Sequence, residues 1–227
     1  MSVPCRSIAL RKGDGLLNPS ENREKLLQSL IAAKRKTGPT IVLSERREAA
    51  VLLPLVSTGE GYDLLFEKRS PDIVQGGEIC FPGGSVEDGE SPQEAAERET
   101  KEELLLPESG VTVLCPLHVI QGPGGRKVTS FLGILSDYHD TFSTDEVEKV
   151  LRLPLEDLLE QDPVIAEADA TPRLPEDFPF FRIPGGRDYP WQHVKKRCYF
   201  YDTPEGTIWG MTAQLLYLFL AALRQQG

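Results

Sequence analysis

Residues 84–106 place a dense set of carboxylates on one short predicted helix. Ser91 is followed by Pro92 and, three residues after Ser91, by Glu94, which is the pattern of a capped helix start. At about 100° per residue, one face of this helix carries three acids. These acids are Glu99, Glu102 and Glu103. Like charges at helical spacing oppose folding by roughly 0.2–0.5 kcal/mol per pair, so the pattern predicts a compensating cation.

This acidic face has two interpretations. A solvated charged helix is the ordinary one, because it explains most Glu-rich helices. A metal site is the other, because Mg²⁺ and Mn²⁺ prefer oxygen ligands and converging carboxylates supply them. The segment 81–84, Phe-Pro-Gly-Gly, precedes the helix and favours the metal site. Its glycines permit a tight turn that leaves a backbone carbonyl free to bind the ion.

The same stretch resembles the signature of the Nudix hydrolases, G-x5-E-x7-R-E-U-x-E-E-x-G-U, in which U is an apolar residue. The positions that match in register are Gly84, Glu90, Arg98, Glu99, Glu102, Glu103 and Leu106. Two positions depart from it. Thr100 stands where an apolar residue is usual, and Leu105 stands where the family has the glycine that closes the helix in a turn. Neither departure removes a carboxylate.

The resemblance implies metal-dependent hydrolysis, with Mg²⁺ or Mn²⁺ as the cofactor. It implies that Glu102 and Glu103 are the principal metal ligands, and that Glu99 is a ligand or the general base. The carbonyl of Gly83 would add a further ligand, and Arg98 would orient the carboxylates. Hydrolysis of a phosphoric anhydride is the reaction that such a centre performs, because the cations neutralise phosphate charge and acidify water.

Two further acids have implied roles. Glu90 would be a helper or an outer ligand. The catalytic base varies between members of the family and can lie on a distant loop, so Glu146 is the distant candidate for that role. The residues around Glu146 also fit the start of a helix, which Thr144 would cap.

Segments outside the signature resemble the coenzyme A diphosphatases within the Nudix family. They are residues 64–84, 154–159 and 208–213. This resemblance implies that coenzyme A or an acyl-coenzyme A is cleaved to 3′,5′-ADP and phosphopantetheine or its acyl form. Two departures bear on substrate recognition. Gln75 stands near the place of a usual histidine, and the spacer 70–77 is shorter than usual and lacks its basic residue.

The substrate contacts and the activity both have alternatives. Lys68 and Arg69 are candidate phosphate contacts, and solvated charges at the end of a strand are the alternative. The segment 178–187 combines aromatic rings with arginines, which suits either a packed surface loop or a surface that stacks on adenine. Hydrolysis of ADP-ribose, a dinucleotide or a nucleoside triphosphate would need the same metal helix. A non-catalytic ligand sensor or interaction module is the remaining alternative, and the complete set of acids opposes it.

Composition restricts the partners and the compartment. The formal net charge of −10 opposes a nucleic-acid interface, which requires a basic surface. The four cysteines form no CxxC pair and no secretory signal precedes them, which predicts reduced thiols in a cytoplasmic protein. The three histidines are dispersed and have no metal-ligand spacing, so structural or surface positions are expected for them.

The order of elements predicts an α/β fold, a Nudix-like α/β/α sandwich with a mixed central sheet, which the resemblance also implies. Residues 1–44 form an N-terminal lead-in with an amphipathic helix, and residues 45–227 form the Nudix hydrolase domain. The predicted strands are 49–56, 62–69, 77–81, 111–120, 127–135, a strand from residue 151 that leads into a short helix, and 195–201.

Two later segments have distinct patterns. Residues 161–190 contain prolines throughout, which predicts a loop without long regular structure. Residues 208–223 form an almost wholly apolar helix, with Thr207 as its cap. This helix has about 16 residues, fewer than the roughly 20 that span a bilayer, so no membrane partner is expected. A core helix and a helix at the interface of a homodimer both fit the pattern.

Overall fold

The computed structural model describes residues 48–122, 125–170, 174–191 and 194–225. The predicted lead-in and helix of residues 1–44, and the predicted domain boundary after them, lie outside the described residues.

A mixed sheet of seven strands forms the centre of the described part of the chain. β1 and β6 run parallel, and the other pairs are antiparallel. The strands are β1 (Ala49–Ser57), β2 (Tyr62–Arg69), β3 (Ile79–Cys80), β4 (Gly83–Ser85), β5 (Val111–Gln121), β6 (Lys127–Leu135) and β7 (Val147–Pro154). The predicted hairpin of β1 and β2 and the predicted pair β5 and β6 are confirmed.

The sheet forks between β1 and β2. These strands pair at the hairpin end, where Leu55 lies opposite Leu64, and then separate. β3 pairs with β2 and β4 pairs with β1, so both short strands fill the fork. The predicted strand 77–81 contains β3, which is shorter, and the predicted glycine turn after it forms the further short strand β4. Because β4 leads directly to the acidic helix, the fork fixes where that helix begins.

Helices cover both faces of this sheet, which confirms the predicted α/β/α sandwich. They are α1 (Pro92–Glu103), α2 (Leu155–Glu160) and α3 (Gly210–Arg224). On one face, Ala95 and Ala96 of α1 pack with the side chains of Ala50 and Leu65. On the other face, α3 buries an apolar stripe against a second cluster of β1 and β2 side chains. Each face of β1 and β2 therefore carries apolar residues, because both are covered.

A second sheet of three strands corrects the predicted loop at 161–190. Its strands are β8 (Val164–Ala170), β9 (Val194–Thr203) and β10 (Gly206–Ile208), and β9 contains the predicted strand 195–201. Residues 164–169 are exposed on both sides of β8, so the sequence shows no alternation of buried and exposed positions there. Pairing with β9 holds this strand in place.

Two helix predictions are wrong: one predicted helix is a strand, and the other begins later than predicted. No helix begins at Thr144, because Val147–Pro154 is a strand that pairs along β2 and buries Val147 and Leu151. The last helix begins at Gly210, after Ile208 has ended β10 as a buried residue. Its N-cap is therefore Trp209 and not the predicted Thr207. The hydroxyl of Thr207 donates to the carboxylate of Asp202 at 2.8 Å. In the described part of the chain, no helix has the length and hydropathy that a membrane crossing requires.

Helix α1 ends in the turn that its signature predicts, although Leu105 replaces the glycine. Leu105 has φ of 51°, which is left-handed backbone. The N–H of Leu106 donates to the carbonyl of Lys101 at 2.9 Å, which is the hydrogen bond of a Schellman turn. The turn therefore forms around a strained leucine whose side chain is exposed.

Leu105→Gly is expected to raise the free energy of unfolding by about 0.5–1 kcal/mol. Left-handed backbone costs an L-residue about 1–2 kcal/mol, and the greater freedom of glycine in the unfolded chain offsets part of that gain. Urea denaturation measures the difference. Leu105→Ala is the control, because it removes the side chain but keeps the strained backbone. A glycine variant no more stable than the alanine variant would contradict this explanation.

Candidate active site

The start of α1 has the predicted capping box. The N–H of Glu94 donates to the side-chain oxygen of Ser91 at 3.3 Å, and the N–H of Ser91 donates to the carboxylate of Glu94 at 2.8 Å. Two buried alanines then hold the helix against the sheet. This orientation buries Glu103, leaves Glu99 partly buried and leaves Glu102 exposed.

Arg98 joins the helix to the loop before it. Its Nε and Nη2 donate to the two carboxylate oxygens of Glu90 at 2.9 and 3.2 Å, and Nη2 also donates to the carbonyl of Ser85 at 3.2 Å. Its Nη1 lies 3.1 Å from Glu99 and 3.2 Å from Glu102. These hydrogen bonds hold the pKa of Glu90 below its usual value. Arg98 therefore contacts Glu99 and Glu102, the two acids of this face that are not buried.

Glu103 is buried beside the fork and faces a second buried acid. Its Oε2 accepts a 2.8 Å hydrogen bond from the N–H of Gly83. Burial, and then the neighbouring charge of Glu67, raise the pKa of Glu103 well above its usual range. Burial likewise raises the pKa of Glu67, to which the thiol of Cys80 donates at 3.6 Å. Two carboxyl groups thus share a site that disfavours charge on both in the absence of a cation.

Glu67 is a site residue that the sequence analysis missed. It lies on β2 with 1% of its surface exposed, and one of its carboxylate oxygens has no hydrogen-bond partner among the described residues. The sequence feature that could have revealed Glu67 is its position: an acid directly follows the apolar run 64–66 and directly precedes Lys68 and Arg69. Acids are almost never fully buried unless they are paired, so a charge inside a predicted core strand indicates a site.

Glu99 fits against a residue that has no side chain. A Cβ atom on Gly84 would overlap the carboxylate of Glu99. Burial raises the pKa of Glu99, and the hydrogen bond from Arg98 opposes that shift. Gly84 therefore supplies the space that this carboxylate occupies.

Gly84→Ala is expected to lower kcat at least tenfold and to change the free energy of unfolding by less than about 2 kcal/mol. The added methyl group must displace the Glu99 carboxylate, and small displacements of catalytic groups are costly. Steady-state kinetics and urea denaturation measure the two quantities. Gly61→Ala is the matched control, because an added Cβ there meets nothing within 4 Å. Unchanged kcat in Gly84→Ala would contradict a role for the Glu99 position.

The distant candidate base, Glu146, lies near these carboxylates. Its charge contributes to the raised pKa of Glu67, Glu99 and Glu103. The loop before it is fastened to the end of α1, since the N–H of Ser143 donates to the carbonyl of Glu103 at 2.7 Å. This attachment explains why an acid far along the chain reaches the site.

The structure separates the two candidate phosphate contacts. Burial raises the pKa of both Glu67 and Cys80, and the charge of Arg69 opposes that rise in both, so its guanidinium lies beside these buried groups. Its Nε donates to the carbonyl of Val74 at 3.2 Å, which ties it to the loop 70–77. Lys68 instead forms an ion pair with Glu148 at 3.1 Å. Because neighbouring residues of a strand point to opposite faces of the sheet, the side chains of Lys68 and Arg69 lie on different faces of β2.

The donor set suits a hard divalent cation. The carboxylates of Glu103 and Glu99 lie beside Gly83 and Gly84 of β4, and Arg98 joins Glu102 to Glu99. Oxygen ligands are those that Mg²⁺ and Mn²⁺ prefer. Beside Glu103, one buried carboxylate oxygen of Glu67 has no hydrogen-bond partner among the described residues, and a bound cation would supply a partner. Among the described residues, no three His, Cys, Asp or Glu side chains lie close enough together to hold a metal ion. Arg98 engages Glu99 and Glu102 instead.

Comparison with known proteins identifies the family of this chain. The family model of the NUDIX domain matches residues 45–174, more than half of the chain. Nudix hydrolase 3 of Caenorhabditis elegans is 27% identical over 209 residues, which cover 88% of this chain and 84% of that protein. NudL of Klebsiella pneumoniae, an uncharacterised Nudix hydrolase, is 37% identical over 117 residues. That match covers 50% of this chain and 60% of NudL, so it spans less than two thirds of the relative.

Among solved structures, an Ap4A hydrolase of Caenorhabditis elegans in a binary complex is 24% identical, with a TM-score of 0.43. The match covers 50% of this chain and 84% of that one. The fold and the site define a mixed α/β domain with carboxylates in the last turns of a helix that packs beside the glycines of β4. The chain belongs to the Nudix hydrolase family, a class of enzymes that act on phosphoric anhydride bonds.

Proposed function

We propose that this protein hydrolyses the diphosphate of coenzyme A or acyl-coenzyme A in the presence of Mg²⁺ or Mn²⁺. The products are 3′,5′-ADP and 4′-phosphopantetheine or its acyl form. The observation that carries the reaction class is the convergence of the α1 acids on the β4 glycines, where Gly83 donates to Glu103 and Gly84 makes room for Glu99. The choice of coenzyme A rests on the resemblance of residues 64–84 and 208–213 to the coenzyme A diphosphatases.

Glu99, Glu102 and Glu103, with the carbonyl of Gly83, would hold the cation. When bound, a divalent cation neutralises the charge of the diphosphate and acidifies water. Arg98 keeps Glu99 and Glu102 oriented, because Glu90 and the carbonyl of Ser85 fix its guanidinium from the other side. Arg98 and Glu90 therefore act as positioning residues.

The general base is Glu99 or Glu146 in this proposal. Glu99 is partly buried, and burial raises its pKa above the ordinary value, which makes this carboxylate a stronger base than an exposed one. Glu146 is exposed on the loop that Ser143 fastens to α1, so it can approach the site from the substrate side. Replacing each by glutamine separates the candidates. A general base acts only when it is deprotonated, so only loss of the true base removes the fall in rate at low pH from the pH–rate profile.

Arg69 is the stronger of the two proposed phosphate contacts. It has no carboxylate within salt-bridge distance in the described part of the chain, whereas Lys68 is paired with Glu148. An arginine that lies beside the carboxylate centre can bind a phosphate oxygen with two hydrogen bonds. Lys68 would need to leave its ion pair to do the same.

The proposal extends to compartment and assembly. The four cysteines are scattered along the sequence without a CxxC pair, which supports a reducing, cytoplasmic location. Val164 and Ile165 are exposed on the edge strand β8, and this apolar edge supports a homodimer. Size-exclusion chromatography with light scattering tests the assembly, and a monomer at micromolar concentration would contradict it.

A hydrolysis panel tests the proposed substrate. Wild-type protein is incubated with Mg²⁺ or Mn²⁺ and with coenzyme A, acetyl-coenzyme A, dephospho-coenzyme A, ADP-ribose, NADH and Ap4A. We expect the highest kcat/KM for coenzyme A or its thioester, with 3′,5′-ADP as a product. Preference for ADP-ribose or Ap4A would reject the substrate but keep the reaction class. Release of no product from any diphosphate would favour a ligand-binding module.

A further inference from the structure

Arg126 approaches the active-site strand β4 from the face opposite the carboxylates. Its Nη2 donates to the side-chain oxygen of Ser85 at 2.6 Å. Ser85 pairs with Ala49, which belongs to the core on the α3 side. Gly84 faces Glu99 on the α1 side. Because side chains alternate along a strand, the guanidinium of Arg126 and the carboxylate centre lie on the two sides of β4.

Ser85 connects two arginines. Its carbonyl accepts from Arg98 at 3.2 Å, and its hydroxyl accepts from Arg126 at 2.6 Å. Arg126 is therefore held one residue away from Gly84, where the acids of α1 meet the sheet. A substrate bound at those acids extends past this residue if it continues around the end of β4.

Arg126 has unused hydrogen-bonding capacity. Its Nε is buried and has no acceptor among the described residues. No carboxylate lies within salt-bridge distance of it in that part of the chain, whereas the next residue, Lys127, pairs with Glu48 at 3.0 Å. The chain has 35 acids and 25 lysines and arginines, so a partly buried guanidinium without an acid is unexpected. Buried donors without partners call for an explanation, and an anionic ligand supplies one.

The turn that precedes Arg126 lies against the start of α3. A Cβ on Gly122 would lie 2.7 Å from Sδ of Met211, so the turn that precedes Arg126 packs against the first turn of α3. Trp209, the N-cap of α3, makes no side-chain hydrogen bond to that helix. The N–H groups at a helix start carry partial positive charge and bind phosphate when no side chain caps them.

We infer that Arg126 binds a phosphate group of the substrate that is not part of the cleaved anhydride. The inference rests on the proposed function, since it names a second phosphate subsite for the same substrate. A phosphate held by the α1 acids through a cation would lie on the other side of β4. Arg126 would therefore bind a different phosphate group of the same substrate. In coenzyme A, the group of this chemistry is the 3′-phosphate of the ribose. A guanidinium with a free Nε suits such a phosphate monoester.

Calorimetry without divalent metal tests this subsite apart from catalysis. The probes are adenosine 3′,5′-bisphosphate and adenosine 5′-monophosphate, which differ by the phosphate in question. We expect wild type to bind the bisphosphate about ten- to hundredfold more tightly than the monophosphate, as one charge-assisted contact provides. Arg126→Gln is expected to bind both nucleotides with similar affinity. Lys127→Gln, the neighbouring cation that is already paired, is expected to keep the preference.

Two further variants complete the test. Arg126→Lys keeps the charge without the planar fork and is expected to recover part of the preference. Ser85→Ala removes only the hydroxyl that orients Arg126, so it is expected to weaken the preference even if Arg126→Gln does not fold. Equal affinity of wild type for both nucleotides, or equal loss in Lys127→Gln and Arg126→Gln, would overturn the inference.

The hydrolysis panel separates this inference from the proposed function. Cleavage of coenzyme A by wild type, with the same bisphosphate preference in Arg126→Gln, rejects the subsite and keeps the function. Loss of the preference in Arg126→Gln, with no cleavage of coenzyme A by wild type, rejects the substrate and keeps the phosphate subsite.

Discussion

Replacing Glu103 with glutamine is expected to lower kcat about a thousandfold and to leave the metal-free fold intact. A cation supplies several kcal/mol of transition-state stabilisation, and each 1.36 kcal/mol corresponds to tenfold in rate. Glutamine still accepts the hydrogen bond from Gly83, so the local geometry is retained. Steady-state kinetics with Mg²⁺ and Mn²⁺ measure the loss.

The stability of Glu103→Gln distinguishes loss of function from unfolding. Burial beside Glu67 raises the pKa of Glu103, and a carboxyl group with a raised pKa destabilises the fold once the pH exceeds its unfolded value. The metal-free variant is therefore expected to be at least as stable as wild type at pH 7. Glu97→Gln is the control, because Glu97 pairs with Lys101 away from the site. Wild-type turnover in Glu103→Gln would remove Glu103 from the centre.

Gly83→Ala is expected to lower the free energy of unfolding by about 3 kcal/mol or more. An added Cβ would overlap the carbonyl oxygen of Ala50 and lie 2.6 Å from Cα of Val51. Both atoms belong to the backbone of β1, so they cannot move aside as a flexible side chain would. The φ of Gly83 is 144°, which adds backbone strain to the overpacking.

Gly89→Ala separates strain from overlap. Gly89 also has a positive φ, at 83°, but an added Cβ there meets nothing within 4 Å. Its alanine variant is expected to lose about 1 kcal/mol, from backbone strain alone. Urea denaturation of the two variants gives both values. Equal losses would mean that the fork between β1 and β2 tolerates a side chain at Gly83.

The parts of the fold that sequence reasoning predicted are those set by local pattern. The capping box of Ser91 and Glu94 lies within one helical turn, and the β1–β2 hairpin is joined by a short turn. The start of β7 was mistaken for a helix because its acids fit a helix start, whereas pairing with β2, far away in the chain, decides its structure.

The missed contacts of the site join residues that are distant in sequence. Glu67 meets Glu103 because β2 and α1 pack together, and no spacing in the sequence reveals that contact. Ala49 of β1 lies between Val128 of β6 and Ser85 of β4, so Arg126, just before β6, reaches past the start of β1 to Ser85. The sequence predicted the three candidate metal ligands together because all three lie on one short helix.

Manganese binding measured together with turnover tests the central claim most directly. Electron paramagnetic resonance counts the Mn²⁺ bound by the protein while coenzyme A hydrolysis is followed in the same samples. We expect wild type to bind Mn²⁺ and to require it for hydrolysis, and we expect Glu102→Gln and Glu103→Gln to lose affinity and turnover together. Unchanged Mn²⁺ affinity in both variants, or hydrolysis by wild type in the presence of a chelator, would contradict a carboxylate-held metal centre on α1.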